Sequence, residues 1–179
     1  MSWIAGQRRS IITGAVFLVA LQTTSAQSPS ASGTSHASGA PQTAALERDF
    51  FAAIRDGDAK KFLSYVPTEG LHLGPQATPT SRAEVEEQLS HHRGLYCKLF
   101  DSSCIDAPIK LDNSARACSD RELLTHSEKV RTAASETVRN SVRQAILVAE
   151  VKNDPCGGAK LIDFIFNYVQ GEWKLFSAP

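Results

Sequence analysis

Two side chains with the chemistry for acid–base catalysis lie among apolar residues in this sequence. Asp163 lies within LIDFIFNYV, residues 161–169, the most apolar stretch after residue 26. His72 lies between two leucines, and a histidine can act as a general base near neutral pH. We take His72 and Asp163 as candidate catalytic residues, against the alternative that they are a strand-end histidine and a solvent-facing or interface carboxylate.

The other reactive residue types do not form a recognisable site. His91 and His92 are adjacent and would point about 100° apart on a helix, unlike the metal-binding pair at i and i+4. The four cysteines contain no C-x-x-C pair, which disfavours zinc. The sequence has neither a glycine-rich phosphate loop nor a G-x-S-x-G elbow. We therefore expect no metal and no cofactor.

The first 26 residues have the pattern of a signal peptide. Arg8 and Arg9 precede an apolar run, residues 11–21, which is short for a membrane span. Small residues at 24 and 26 predict cleavage after Ala26, and hence a secreted or periplasmic protein. The alternatives are a twin-arginine signal, which the arginine pair loosely resembles, and an uncleaved anchor.

Residues 27–42 consist of small and polar residues without periodicity, which predicts a flexible linker before a single domain at 43–179. Both arginines of the signal segment are removed on cleavage, which leaves a net charge of about −2 in the exported part. This composition predicts neither a nucleic-acid partner nor an integral membrane span in the mature chain.

The elements that must position His72 and Asp163 are predicted by hydrophobic periodicity. Residues 43–56 have apolar side chains four apart and predict a helix that ends before Gly57. A short helix after Asp58, a short strand at 71–73 and a helix from 82 to about 92 follow, the last with a capping box at Ser81 and Glu84. The stretch from Gly94 to about residue 127 shows no regular pattern.

From residue 129 the pattern changes to strands rich in Val, Ile and Phe, separated by short turns. Residues 129–139, 142–151, 160–169 and 173–178 predict a four-strand antiparallel meander. A first turn at Asn140–Ser141 makes residues whose numbers add to about 281 face each other, and a second turn near Cys156 gives about 311. Asp163 then faces Val148, and Asn167 faces Gln144.

This register also selects among the three pairings that four cysteines allow. The register of the first hairpin places Cys156 opposite about Thr125. Cys118 lies shortly before Thr125 in the sequence and so at the same end of the sheet. Cys97 and Cys104 are close in sequence and can close a local loop. Export favours disulfides. We therefore expect the bridges Cys97–Cys104 and Cys118–Cys156.

Three segments resemble the nuclear transport factor 2-like superfamily. FFAAIRDGDAKKFLSYV (50–66) is similar to its first-helix signature, SRAEVEEQL (81–89) to the helix after the first strand, and GEWKLF (171–176) to its last strand. The resemblance covers residues 44–93 and 128–179. It implies an α+β fold with three N-terminal helices packed on a curved antiparallel sheet, a cone-shaped barrel around a pocket.

The superfamily includes isomerases, dehydratases and cyclases as well as proteins that only bind, so the fold does not define the function. In ketosteroid isomerases a tyrosine of the first helix belongs to the oxyanion hole. The matching position is Phe50, which has no hydroxyl, so the resemblance does not carry that chemistry over. The residues expected to line the pocket are aromatic side chains and one histidine: Phe50, Tyr65, His72, Tyr96, Phe164 and Phe166.

Side chains of a strand alternate between faces, so Asp163 shares a face with Asn167, and Phe164 with Phe166. We expect the aromatic face to pack on the helices and Asp163 to lie on the outer face; packing by the opposite face would reverse this. The preferred hypothesis is an exported domain that binds a small apolar ligand or a protein partner without catalysis. The alternatives are a lyase or isomerase using His72 with Asp163, and an envelope protein that dimerises through its sheet.

Overall fold

The 179-residue chain is described by a computed structural model over residues 40–74, 78–105, 117–157 and 159–179. The predicted signal peptide and most of the predicted linker lie outside these residues. The described residues belong to one compact unit. Within the described residues, no helix is both long enough and apolar enough to cross a membrane.

Three helices precede and flank a short first strand. Helix α1 is Ala40–Asp56, α2 is Ala59–Tyr65, strand β1 is His72–Leu73 and α3 is Arg82–Ser90. Gly57 lies between α1 and α2 with φ of 72°, a conformation in which glycine carries no Cβ penalty, and Asp58 caps α2 by accepting from Lys61 N at 2.8 Å. These helices are those predicted, although α1 begins at Ala40, within the stretch assigned to the linker.

The stretch without a sequence pattern contains two further helices in its described part. Helix α4 is Leu95–Leu99, a 3₁₀ turn covers Ser102–Cys104, and α5 is Asp120–His126. The prediction of irregular structure at these positions was wrong. Both helices are short, so each offers fewer than two turns of periodicity, and tertiary packing rather than propensity stabilises helices of this length.

The second half of the chain forms the meander that the sequence predicted. Strand β2 is Lys129–Arg139, β3 is Val142–Lys152, β4 is Ala159–Val169 and β5 is Glu172–Ala178. The sheet order is β1-β5-β4-β3-β2, with β2 at one edge. Because β1 pairs with β5 in parallel, the sheet is mixed rather than wholly antiparallel, and the described strands do not close into a barrel.

The strand register is also as predicted. Arg131 lies opposite Glu150, Val148 opposite Asp163, and Gln144 opposite Asn167. The pairing between β4 and β5 shifts at Ile165–Phe166, where a bulge interrupts it. A sheet with one buried face resists a one-residue slip, because a slip would move the whole apolar set into water.

The aromatic face of β4 packs on the helices, and the opposite face is the outer face. Phe164 and Phe166 have zero exposed fraction, whereas Asp163 and Leu161 are exposed. The α+β class and the four-strand meander are thus confirmed. Two disulfides are present, Cys97–Cys104 and Cys118–Cys156, which are the pairs expected from the sequence. Disulfides are typical of proteins in oxidising compartments.

Candidate functional site

The centre between helices and sheet is filled by aromatic side chains. Phe50 on α1 has zero exposed fraction, and its ring centroid is 4.7 Å from that of Phe164 and 4.9 Å from that of Phe166. Phe62 on α2 is 5.8 Å from Phe50 and is also fully buried. Phe50, Phe164 and Phe166, expected to line a pocket, therefore pack against one another in the hydrophobic core.

His72 and Asp163 lie on the outer face. His72 is opposite Ser177, which is opposite Ile165, and Ile165 points away from the buried phenylalanines on either side of it. The His72 ring is 4.9 Å from that of Phe176, and Asp163 is exposed. The two residues share a side of the sheet, but it is the side away from the helices, so the structure does not place them in a pocket together.

Tyr96 lies on α4 and is partly buried against the hydrophobic core. Its ring stacks on His92 with centroids 4.1 Å apart and an interplanar angle of 15°, and it contacts Phe100 at 5.4 Å. Of the six residues expected to line a pocket, Tyr65 alone borders the groove described next.

A groove of about 520 Å³ runs between the helices α1 and α2 and the hairpin that joins β4 to β5; we call it the aromatic groove. Its aromatic walls are Tyr65, Tyr168 and Trp173. Tyr168 and Trp173 face each other across the hairpin with ring centroids 5.0 Å apart. The helical side is lined by residues of α1 and α2: Gln42, Ala45, Leu46, Asp49 and Ser64.

Arg143 on β3 holds the aromatic pair of this groove in place. Its guanidinium lies 4.6 Å from the Tyr168 ring centroid and 5.2 Å from that of Trp173. The same guanidinium donates two hydrogen bonds to Glu136 on β2, from Nε to Oε1 and from Nη2 to Oε2. A planar guanidinium can satisfy a carboxylate and stack on aromatic faces at once.

This cluster is connected to the helices through Thr43. The Thr43 hydroxyl of α1 is buried and donates to Glu136 Oε2 at 2.9 Å. Glu136 thus accepts from both a helix and a strand, and the side chains of Glu136 and Arg143 are 27% and 29% exposed. The network fixes the first turns of α1 over the end of the sheet where the groove opens.

Two groups of the groove have altered polar environments. The indole N–H of Trp173 is buried and has no hydrogen-bond partner among the described residues. Burial and, secondarily, the negative charge of Asp49 raise the pKa of the Tyr65 phenol above its usual value. Tyr65 therefore keeps its hydroxyl proton at neutral pH, and both groups are hydrogen-bond donors rather than bases.

The groove suits binding better than acid–base chemistry. Its two carboxylates are both in ion pairs with neighbouring cations: Asp49 with Arg48 at 2.8 Å, and Glu172 with Lys174 at 2.6 Å. No histidine borders it within the described residues. Three aromatic rings and an unused donor can hold a flat apolar molecule with one acceptor atom, since ligand sites combine apolar walls with few polar groups.

The sequence contained part of this site. The hairpin register places Tyr168 beside Trp173 and Glu136 on the same face as Arg143, because facing residues share a face. The strand register does not show that α1 begins at Ala40, before the predicted residue 43. Nor does it show that a groove lies between α1 and the hairpin that joins β4 to β5.

The chain has the element order of the nuclear transport factor 2-like fold, with helices first and the four-strand meander last. No protein-family model and no curated protein matches the sequence. Two solved structures are similar in arrangement. Rd1NTF2_05, with five substitutions, is 8% identical, with a TM-score of 0.43 over 78% of this chain and 96% of its own.

The second is an NTF2-like protein with a cystatin-like fold from Novosphingobium aromaticivorans. It is 13% identical, with a TM-score of 0.35 over 78% of this chain and 83% of its own. At these values neither likeness bears on ligand, activity or site residues.

Proposed function

We propose that this protein is a non-catalytic binding domain that takes a small, flat, mainly apolar ligand in the aromatic groove. The proposal rests on one observation: the groove has three aromatic walls, and one of them, Trp173, has a buried indole N–H without a hydrogen-bond partner among the described residues. Leaving a buried donor without a partner costs about 1–3 kcal/mol. A ligand with a carbonyl or ether oxygen would recover part of that cost once side chains shift to admit it.

The groove, rather than the interior, is the proposed site because the interior is occupied. Phe50, Phe164 and Phe166 fill the space between helices and sheet and offer a ligand no polar group. Binding without catalysis is preferred because both carboxylates of the groove, Asp49 and Glu172, are in ion pairs with neighbouring cations. A lyase or isomerase would need both an acid and a base within reach of one point.

The test uses the fluorescence of Trp173. The chain has two tryptophans, so Trp3→Phe leaves Trp173 as the single emitter. We expect saturable quenching or a spectral shift with small bicyclic aromatic ketones. The hydrocarbons of the same shape, which lack the acceptor oxygen, should bind more weakly.

A matched pair of helix variants locates the binding. Ala45→Phe adds a ring inside the groove, because Ala45 lines it, whereas Ala44→Phe adds the same ring at an exposed position of α1. We expect Ala45→Phe to abolish the fluorescence change and Ala44→Phe to retain it. Equal effects of the two variants, or no saturable response to any probe, would refute the proposal.

A second candidate is contact with a protein partner through the outer face, with a second copy of this chain as the first partner to test. Leu161 there is 66% exposed and borders a surface depression of about 600 Å³ with Val148 and Ala133. Arg131 and Glu150 flank this apolar area, so opposite charges are available to a two-fold partner.

Light scattering coupled to size exclusion tests this second candidate. Leu161→Glu should dissociate a dimer formed through the outer face. Val138→Glu is the control, because Val138 is 70% exposed but belongs to the opposite side of the sheet. A monomer at every concentration in the unmodified protein excludes the dimer.

A further inference from the structure

A second cluster of reactive side chains lies at the other end of the meander, outside the aromatic groove. The Sγ atoms of Cys118 and Cys156 and a carboxylate oxygen of Asp154 all lie within 4.8 Å of one another. Cys118 precedes α5, and the other two residues belong to the turn between β3 and β4. The two cysteines form a disulfide, with Cα atoms 6.0 Å apart.

Among the carboxylates of the described residues, Asp154 is unusual because it is buried, with 7% of its surface exposed. One oxygen, Oδ1, accepts from the backbone N–H of Cys156 at 2.7 Å and so shapes the turn. The other, Oδ2, is buried without a hydrogen-bond partner among the described residues. A buried carboxylate oxygen with no donor is costly, so this oxygen has an unmet capacity to bind a cation.

We propose that reduction of the Cys118–Cys156 disulfide creates a binding site for a thiophilic divalent cation, of which Zn²⁺ is the type, with Cys118, Cys156 and Asp154 as ligands. Thiolate and carboxylate oxygen are both ligands of zinc, at about 2.3 Å and about 2.0–2.2 Å. Tetrahedral geometry then separates the ligand atoms by about 3.5–3.8 Å, which side-chain rotation can reach from the present positions. The fourth position would remain open to water.

The reaction that forms the site needs a reductant of the dithiol class. The dithiol supplies two electrons and two protons, the S–S bond breaks, and two thiols form while the reductant becomes a disulfide. Cys118 is partly exposed, which gives the reductant access to one sulfur. Binding of Zn²⁺ then releases both thiol protons to solvent, because the metal binds thiolates. Oxidation reverses the sequence and expels the metal.

The other disulfide provides an internal comparison. Asp101 precedes Cys104 and accepts from the backbone N–H of Ser103 through Oδ1 at 2.9 Å, much as Asp154 does with Cys156. Asp101 is exposed, however, so water can solvate both of its oxygens. The same turn chemistry thus occurs with and without burial of the carboxylate.

The experiment titrates Co²⁺, as a spectroscopic substitute for zinc, into the full chain carrying Cys97→Ser and Cys104→Ser. After treatment with a phosphine reductant and its removal, we expect thiolate-to-cobalt charge-transfer absorption that the oxidised protein lacks. Asp154→Asn should weaken the apparent Co²⁺ affinity about tenfold or more. Asp101→Asn should leave the affinity unchanged.

Circular dichroism accompanies the titration and shows whether the reduced chain loses structure before metal is added. Recovery of the helical signal on addition of Co²⁺ supports the proposal, since binding to a native site favours the folded state. The proposal is overturned if the reduced protein shows no charge-transfer absorption. It is equally overturned if Asp154→Asn binds Co²⁺ as tightly as its parent.

Discussion

Phe50 determines the character of the interior of this domain. Its ring contacts two phenylalanines of β4 at 4.7 and 4.9 Å in edge-to-face geometry, and it is closed to solvent. A hydroxyl at this position would be directed into a region built from rings and aliphatic groups. Phe50 is therefore a packing residue of the hydrophobic core.

Substitution Phe50→Tyr tests this assignment. We expect a loss of about 1–3 kcal/mol in the free energy of unfolding, because the added hydroxyl is desolvated without an assured partner. Urea unfolding followed by far-UV circular dichroism measures it. Phe176→Tyr, at a position 38% exposed, is the control and should be nearly neutral. An unchanged midpoint for Phe50→Tyr would indicate a polar or hydrated interior.

Asp120 at the start of α5 shows how burial changes a titration. Desolvation raises the pKa of its carboxyl to about 7, although the positive charges of Lys160 and Lys98 oppose the shift. The folded state therefore keeps a proton that the unfolded state has already lost between about pH 4 and pH 7. Over this range the contribution of Asp120 to stability becomes more unfavourable as the pH rises.

Asp120→Asn should remove this pH dependence. We expect the variant to be more stable than the parent at pH 8, by on the order of 2 kcal/mol, and nearly equal at pH 4. The expected stability difference is smaller than the free energy that corresponds to the whole pKa shift, because the Asp120 side chain is only partly buried. Thermal unfolding across pH 4–8 provides the measurement, with Asp163→Asn on the outer face as the control. A parallel pH profile for Asp120→Asn and parent would contradict the assignment.

At the scale of elements, we expect α5 to depend on its N-cap residue, Ser119, more than α3 depends on its N-cap residue, Ser81. Ser119 is fully buried, its hydroxyl accepts from Glu122 N at 3.3 Å, and its own N–H donates to Glu122 Oε2 at 3.1 Å. This reciprocal arrangement is a complete capping box. The Ser81 hydroxyl accepts from Glu84 N at 3.2 Å but is exposed.

Replacing each cap by alanine compares the two helices. Ser119→Ala should cost about 1–2 kcal/mol, since a buried donor loses its acceptor, and Ser81→Ala about 0.5–1 kcal/mol. Chemical denaturation gives both values under the same conditions. If Ser81→Ala is the more damaging substitution, burial does not control the strength of these caps.

The elements that the sequence predicted well are those with long, strong periodicity and diagnostic turns. The strands between residues 129 and 178 alternate over seven or more residues, and a two-residue turn at Asn140–Ser141 fixes their register. Helix α5 was not predicted because it has only seven residues after its capping box. Its two buried leucines are adjacent in sequence and show no helical spacing. The site depended on α1 as well as on the hairpin, so strand register alone could not define it.

For the whole molecule, the two disulfides differ in what they constrain. Cys97–Cys104 closes a loop with a sequence separation of 7, within α4 and the turn after it. Cys118–Cys156 spans 38 residues and links the approach to α5 with the β3–β4 turn. Longer loops lose more entropy when they are closed in the unfolded chain.

Removing each bridge by a double Cys→Ser substitution should therefore have unequal effects. In the chain-entropy model the loss is about 4 kcal/mol for Cys118–Cys156 and about 2 kcal/mol for Cys97–Cys104. Guanidinium unfolding of the two double variants measures the difference. Equal losses, or a larger one for the shorter loop, would mean that local contacts rather than loop entropy dominate.

Strand β2 also bears on how copies of this protein associate with one another. It is eleven residues long and lies at the sheet edge, so its outward backbone groups are a template for another strand. Lys129, Arg131 and Arg139 place positive charge along that edge, and two copies aligned there would repel each other. Neutral residues at these three positions should therefore increase association of copies through this edge, which light scattering at rising protein concentration measures.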